Sequence, residues 1–384
     1  MIALPMLLSK LGLLLSIILM LLIWLLMYFS ALILVELSLQ AGQGLSLGAL
    51  GKKYSGAVAE LVGAGSFKIL SYALVAVYLY AGTSVIQKLL FTLGLEYSFN
   101  SLTIIYSFCA FLLFLLPLKS IDYINRFLFL GLLTVVAFLI IGLFSTINWH
   151  NLPLISIQST EISSWQIIIP VVFTSFGFQG SCHSFVNYCD RDPVILKKAL
   201  FWGSLIPAIV YIIWTLGTLS VVYNDNPYFY KQMLDNKVDV GGLVQELSNI
   251  ASGHSVQMLT WWISILAIIT SILGVGIGLI DTIKTMLPAK MNKSFSANIA
   301  ASLIMIVPAA LITIMVPNAF ITVLGFAGMI LVLIAILLPA YLFYKAKFTK
   351  LNYSILKHRA LINIVIVIGV AIICCEIANI LHKI

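Results

Sequence analysis

The feature that most constrains this chain is an apolar run from Leu11 to Val35 without one charged side chain. A helix needs about 20 apolar residues to cross a bilayer. Similar blocks recur along the chain, and only 9% of all residues are charged, against about 25% in soluble domains. Hydrocarbon offers backbone amides no partners, so such blocks must be helices. The sequence therefore predicts an all-α polytopic membrane protein embedded in a lipid bilayer.

Ten full spans are predicted after a short apolar stub, residues 1–8. They cover residues 12–39, 67–90, 101–118, 124–147, 165–188, 199–222, 256–283, 298–316, 319–344 and 360–381. The longest connection, residues 223–255, is polar, and a single transmembrane domain is predicted for residues 1–384. The stub is too short to cross alone. We therefore expect the first helix to be N-terminally truncated.

The basic residues predict the orientation. If the span at 12–39 runs inward, sixteen of the 21 Lys and Arg residues fall on one side, among them Lys197, Lys198, Lys290 and Lys293. Cytoplasmic loops collect such residues, so the connection 223–255 is predicted to lie outside. This bias also accounts for the net charge of +8. No arginine-rich tail or basic-aromatic platform supports nucleic-acid binding.

One predicted span carries polar and small residues at its middle. The segment consists of Phe173, Thr174, Ser175, Phe176, Gly177, Phe178, Gln179, Gly180 and Ser181. Such a sequence weakens a helix, and secondary transporters hold substrates at breaks of this kind. The alternative is that the small residues let two helices pack closely. Because no ionisable residue lies near the middle of any span, a net-neutral zwitterion suits the site.

Two further clusters are candidates for the same site. Thr270 and Ser271 precede Gly274, Gly276 and Gly278; their hydroxyls could hold a coupling ion or bond back to their own helix. For Gly274 and Gly278 we expect helix packing. The third cluster comprises tyrosines of the span 67–90, which could equally be core residues; they are Tyr72, Tyr78 and Tyr80.

These residues carry a resemblance to the hydroxy and aromatic amino acid permease family, of the amino acid/polyamine/organocation superfamily. It runs in order along the whole chain, through residues 1–5, 125–129, 173–181, 271–275, 278–281 and 325–328. The residues Thr174 to Phe178 resemble the tyrosine-specific branch more than the tryptophan branch. The break lacks the family's histidine, which is Gln179 here, and the proline that follows is His183.

The resemblance implies eleven helices in the leucine-transporter fold, with two inverted five-helix repeats plus one helix. It also implies proton-coupled import of an aromatic amino acid, most of all tyrosine, across the bacterial inner membrane. Residues 174–181 would be the unwound part of helix 6, Thr270 and Ser271 would lie in helix 8, and Tyr78 near the pocket. Tryptophan, a hydroxy amino acid or an inactive truncated permease are the alternatives. No oligomeric state is predicted.

Other classes have less support. A membrane enzyme would need a paired nucleophile and base, and the candidates Cys182, His183 and Asp190 match no metal-site spacing. A channel would need a filter loop, and none is evident in the sequence. The cysteines form no CxxC pair and read as apolar filler. We therefore predict a transporter with no cofactor and no metal.

Overall fold

The computed structural model describes residues 2–250, 254–284, 295–316 and 319–381, and every regular element within them is helical. The α-helices are α1 (Ala3–Leu8), α2 (Leu13–Ala41), α3 (Leu47–Ser55), α4 (Ala57–Thr92), α5 (Phe99–Phe114), α6 (Leu118–Thr146), α7 (Ile162–Ser175), α8 (Cys182–Tyr188), α9 (Pro193–Asp225), α10 (Pro227–Leu234), α11 (Val240–Ile250), α12 (His254–Lys284), α13 (Phe295–Met315), α14 (Ala319–Val332), α15 (Leu338–Ala346) and α16 (Arg359–Leu381).

The helices confirm the prediction of an all-α polytopic membrane protein. Within the described residues nine stretches are long and apolar enough to cross a bilayer, and α5 is a shorter apolar helix. Each coincides with one of the ten predicted spans. The predicted starts of three spans are too late: α6 begins at Leu118 rather than at residue 124, α9 at Pro193 rather than at residue 199, and α4 at Ala57 rather than at residue 67. Glu60 and Lys68 end the apolar window there but do not interrupt the helix. The basic residues Lys290, Lys293 and Lys383 lie outside the described residues.

The polar connection 223–255 contains two short helices that side chains cap. The Asn226 side chain accepts from Phe229 N at 3.0 Å at the start of α10. Asp239 Oδ1 accepts from Gly242 N at 2.9 Å at the start of α11. Each bond satisfies one of the free backbone donors of a helix start. Residues 251–253 of this connection are outside the described part of the chain.

The chain divides into two compact units, and the first comprises residues 1–13, 71–156 and 213–324. Its apolar core joins α4, α5, α12 and α13. Thr313 donates to the carbonyl of Ala76 at 3.1 Å inside this core. The packing glycine of α12 is Gly276, which the ring of Phe114 covers, whereas a side chain at Gly274 would meet open space. The prediction that Gly274 packs a helix is therefore wrong.

The second unit comprises residues 14–70, 157–212 and 325–384. In it α16 packs along α7. A π-helical turn at Leu333–Leu337 separates α14 from α15. Pro339 has no N–H to donate to the carbonyl of Ala335 four residues earlier. The hydroxyl of Ser30 in α2 donates to that carbonyl instead, so α2 compensates for the proline.

Candidate functional site

The polar segment of the predicted span 165–188 is a true interruption of the helix. Helix α7 ends at Ser175, where Phe176 N donates to Phe173 O at 3.2 Å and Gly177 N to Thr174 O at 3.1 Å. A 3₁₀ turn at Gln179–Ser181 then leads into α8. Gly177 and Ser181 are exposed. The break therefore presents peptide groups outside any α-helix in the middle of an apolar span.

Gln179 is the residue that ties this break to a neighbouring helix. Its side chain is 2% exposed. Oε1 accepts from Phe178 N at 3.0 Å, and Nε2 donates to the carbonyl of Met27 in α2 at 3.2 Å. A helix break leaves backbone amides that need partners at membrane depth, and Gln179 satisfies one of them. The oxygen and the nitrogen of this side-chain amide therefore both bond to backbone groups of the protein. Gln179 is thus placed to hold the break in position against α2.

The two hydroxyl residues at the end of α7 bond within their own helix. Thr174 Oγ1 donates to Pro170 O at 2.8 Å, and Ser175 Oγ donates to Val171 O at 3.0 Å. Pro170 sits inside the helix and supplies no N–H. Each hydroxyl keeps its oxygen lone pairs for another donor. Ser175 is partly exposed, whereas Thr174 is buried at 8% exposure.

The glycines of the break lie against side chains of the same unit. A methyl group placed on Gly177 would come 2.5 Å from Leu331 Cδ2, and one on Gly180 would come 2.9 Å from Phe67 Cε2. Both distances are shorter than van der Waals contact. Each glycine therefore has a packing reason to lack a side chain, beside the substrate approach that the sequence suggested.

The two phenylalanines of the break differ in their surroundings. Phe176 is 7% exposed and meets Tyr211 edge-to-face, with ring centroids 5.4 Å apart. Phe178 is half-buried and packs against the apolar cluster around α2 and α15. Phe178 is therefore the aromatic ring of the break with accessible surface. The partners Tyr211 and Met27 had no signal in the sequence, because neither belongs to a polar or glycine-rich cluster.

The candidate residues of the other two clusters lie in the first unit. Thr270 Oγ1 donates to Leu266 O at 2.8 Å, and Ser271 Oγ donates to Ala267 O at 2.6 Å. The bond back to the helix is thus formed, and the oxygen lone pairs remain available to a cation. Tyr78 is half-buried against the core of this unit.

The structure offers little to the alternative of a membrane enzyme. Cys182 is fully buried, and burial raises the cost of ionising a thiol. His183 Nδ1 lies 2.9 Å from Gly180 O and its Nε2 lies 3.3 Å from Ser184 Oγ, so the ring bonds within its own segment. Among the described residues no cluster of three His, Cys, Asp or Glu side chains could hold a metal ion.

Comparison with known proteins identifies the relatives of the chain. A model of the tryptophan/tyrosine permease family matches residues 1–376. Tyrosine-specific transport system 1 of Haemophilus influenzae is 31% identical over 97% of this chain and 91% of its own length. Tyrosine-specific transport system 2 of the same organism is 27% identical over 91% and 85%. A tryptophan-specific transport protein of Pseudomonas aeruginosa is 26% identical over 83% and 76%. These matches confirm the predicted resemblance, and they are permeases rather than enzymes.

Proposed function

The chain belongs to the tryptophan/tyrosine permease family, and on this premise we propose that it imports tyrosine together with protons across the bacterial cytoplasmic membrane. The observation that carries the proposal is the interruption at residues 176–178 inside an otherwise apolar span. A multi-pass membrane protein has no structural need for such a break, because a continuous helix satisfies its own backbone. Breaks of this kind are typical of substrate sites in secondary transporters.

The chemistry of the break suits the two charges of an amino acid. An ammonium group needs carbonyl acceptors, and the last turn of α7 ends in carbonyls that the helix itself does not fully use. A carboxylate needs N–H donors. The amides of the exposed residues Gly177 and Ser181 donate to Thr174 O and Phe178 O within the break, and a bound carboxylate would replace these carbonyls as the acceptor. Residues 165–181 of the span contain no ionisable side chain, and Cys182, His183 and Tyr188 follow in α8. Backbone dipoles bind a zwitterion without adding a net charge to the bilayer core.

Two observations favour an aromatic substrate. The accessible ring of Phe178 borders the break, and an aromatic side chain packs well against another ring at an offset or an edge. The relatives named above are specific for tyrosine or tryptophan by name. We place tyrosine first because the tyrosine transport system 1 is the more similar at 31% identity, against 26% for the tryptophan-specific protein.

Uptake of labelled tyrosine is the direct test. The chain is expressed in bacterial cells that lack their own aromatic permeases, and uptake is measured with and without a protonophore. We expect saturable tyrosine uptake that the protonophore abolishes and that excess tyrosine inhibits more than excess tryptophan or serine. Saturable uptake of labelled tryptophan without uptake of labelled tyrosine would assign the tryptophan alternative. Absence of uptake of either amino acid, with the protein present in the membrane, would contradict the proposal.

A further inference from the structure

The described spans leave open which side chain takes up the proton, because the hydroxyls of Thr270 and Ser271 do not titrate in the physiological range. From the packing of the second unit, we propose that Glu376 in α16 is the proton-binding group of this transporter and that its charge controls the helix break. This inference rests on the proposed function, since it needs a proton-coupled transport cycle.

Glu376 is a carboxyl group inside the membrane-spanning part of the protein. Its side chain has 0% exposure, and Asn379 Nδ2 donates to its Oε2 at 3.3 Å. Arg359, in the first turn of the same helix, lies about 25 Å away along the helix axis. An ionised carboxylate is costly in such surroundings, and a protonated one is much less so. Uptake and release of one proton therefore change the energy of this site strongly.

The carboxyl group lies against the backbone of α14. A methyl group placed on Gly325 would come 2.5 Å from Glu376 Oε2 and 2.8 Å from Oε1. Only a residue without a side chain leaves room for the carboxyl group at this position. Gly325 opens the Gly-Phe-Ala-Gly motif, residues 325–328, to which sequence reasoning gave no role. The structure assigns a role to this first glycine, which is to leave space for the Glu376 carboxyl group.

The second glycine of the motif links the same helix to the break. A methyl group on Gly328 would come 2.7 Å from Thr174 Oγ1 and would lie still closer to the carbonyl oxygen of Pro170. Gly325 and Gly328 lie one turn apart on α14, so neighbouring surfaces of this helix meet Glu376 and the end of α7. In addition α16 itself packs along α7. A shift of α14 or α16 on loss of the proton therefore reaches Thr174, two residues before the break.

The ionisable groups of the surrounding elements leave Glu376 as the titrating acid. On α7 (162–175), on α14 (319–332) and in the π-helical turn 333–337 the sequence has no Asp, Glu, His, Lys, Arg, Tyr or Cys. On α16 its neighbours are Cys374 and Cys375, both free thiols. His382 and Lys383 follow in the sequence, beyond the described residues. Glu161 precedes α7 and is exposed. The turn Ser354–Lys357, which also contacts α16, carries Lys357 beside the distant end at Arg359.

The proton enters and leaves without other chemistry. In the state open to the acidic side, a proton binds a carboxylate oxygen and Glu376 becomes neutral. The neutral side chain packs stably from α16 against α14. Protonation therefore favours the conformation of these helices in which the substrate moves towards the cytoplasm. Release of the proton to the cytoplasm restores the carboxylate. The distribution of basic residues predicts that the C-terminal end of α16 lies on the outer side of the membrane. Glu376, near that end of the helix, is therefore close to the compartment that supplies the proton.

Glu376→Gln separates proton coupling from substrate binding. The protein is reconstituted in vesicles that contain a pH-sensitive dye, with an inward proton gradient. We expect the unsubstituted chain to accumulate labelled tyrosine and to acidify the lumen when tyrosine is added. The variant should lose both accumulation and acidification, and should retain exchange of internal for external tyrosine. Asp122→Asn is the matched control: this exposed acid pairs with Arg126 at 2.8 Å, and its loss should leave coupling unchanged.

The outcomes separate this inference from the proposed function. Tyrosine-driven acidification by Glu376→Gln at the level of the unsubstituted chain would overturn the inference alone. Failure of the unsubstituted chain to transport tyrosine would overturn both. If the variant does not fold, the test uses the unsubstituted chain and dicyclohexylcarbodiimide. This reagent modifies protonated carboxyl groups in apolar surroundings. Faster modification of Glu376 at lower pH, with loss of acidification, supports the inference. Modification that leaves proton movement intact contradicts it.

Discussion

Gln179, in the helix break between α7 and α8, donates from its side-chain Nε2 to the backbone carbonyl of Met27 in α2 at 3.2 Å. The same side chain accepts from the amide of Phe178 at 3.0 Å. A single buried amide group thus satisfies a peptide group that the break exposes and fixes the break to a continuous helix. Preorganised backbone in a substrate site requires a support of this kind.

Gln179→Leu should therefore impair transport by loosening the break. Both hydrogen bonds are lost, and a buried amide left without a partner costs about 1–3 kcal/mol. We expect reduced thermal stability in detergent and a large loss of tyrosine exchange. Gln87→Leu is the matched control, because the Gln87 amide bonds to Tyr97 O at 3.0 Å in exposed surroundings. Equal effects of the two substitutions would show that the tie to Met27 has no special role.

The helices themselves could be predicted from the sequence, and the reason is physical. Backbone satisfaction in hydrocarbon leaves only one structure for a long apolar block, and all ten predicted blocks are helical apart from the break in residues 165–188. The boundary errors, as at Ala57, arise because helices extend beyond the hydrocarbon, where polarity no longer marks the end. The position of the break could also be predicted, since glycine and hydroxyl residues stand out in an apolar span.

The contacts of the break could not be predicted in the same way. Met27 and Tyr211 are ordinary apolar-span residues, and only the packing of helices far apart in sequence brings them to Gln179 and Phe176. In the sequence Glu376 is only one acid near the end of the predicted span 360–381. Its importance depends on Gly325, which lies on another helix. Pairings between helices follow from side-chain shape, and the sequence of one helix does not specify them.

Gly177→Val should abolish tyrosine uptake while the protein still inserts. The added side chain clashes with Leu331, whose Cδ2 would be 2.5 Å from the new Cβ, and it also covers the exposed backbone. Gly203→Val is the matched control, since a side chain there meets nothing within 4 Å. If crowding of Leu331 were the whole cause, Gly177→Ala with Leu331→Ala would transport normally. We expect this double variant to regain stability and to remain impaired in transport.

Substitution of the two phenylalanines should separate recognition from packing. Phe178→Leu removes the accessible ring and should weaken inhibition of uptake by tyrosine and tryptophan more than by serine. Phe176→Leu removes the edge-to-face contact with Tyr211, which is worth about 0.5–1.5 kcal/mol beyond burial, and should mainly lower the melting temperature. The measurement is a competition profile beside a melting curve for each variant. A reversed pattern would assign substrate recognition to Phe176.

The orientation predicted from the basic residues can be tested with single cysteines. Lys231 in α10 and Lys198 in α9 are exposed, and they fall on opposite sides of the predicted membrane. The native cysteines must be replaced first, because Cys109 and Cys374 are exposed. In intact cells an impermeant thiol reagent should label Lys231→Cys, and it should label Lys198→Cys only after the membrane is opened. Labelling of Lys198→Cys in intact cells would reverse the topology.

Glu36 provides the last prediction, since it is a buried carboxyl group with surroundings unlike those of Glu376. Its oxygens accept four hydrogen bonds, from Gln40 Nε2 at 2.8 Å, from Asn352 N and Nδ2 at 3.1 Å each, and from Tyr353 N at 3.2 Å. These bonds hold the connection between α15 and α16 against the end of α2. Tyr353 lies in that connection; burial, and then the Glu36 carboxylate, raises the pKa of its hydroxyl, which keeps it protonated to donate to Pro193 O at 3.1 Å.

Glu36→Gln should therefore lower stability, because an amide NH₂ would face donors where a carboxylate oxygen accepted them. Hydrogen bonds to a charged group contribute about 1.5–3 kcal/mol each, so we expect a clear drop in melting temperature. The melting temperature of Glu376→Gln should be close to that of the unsubstituted protein, because the buried position beside Gly325 accommodates a neutral side chain. Melting curves of the two variants, recorded side by side in one detergent, test this contrast. A larger loss of stability for Glu376→Gln than for Glu36→Gln would show that Glu376 serves the fold as a structural anion.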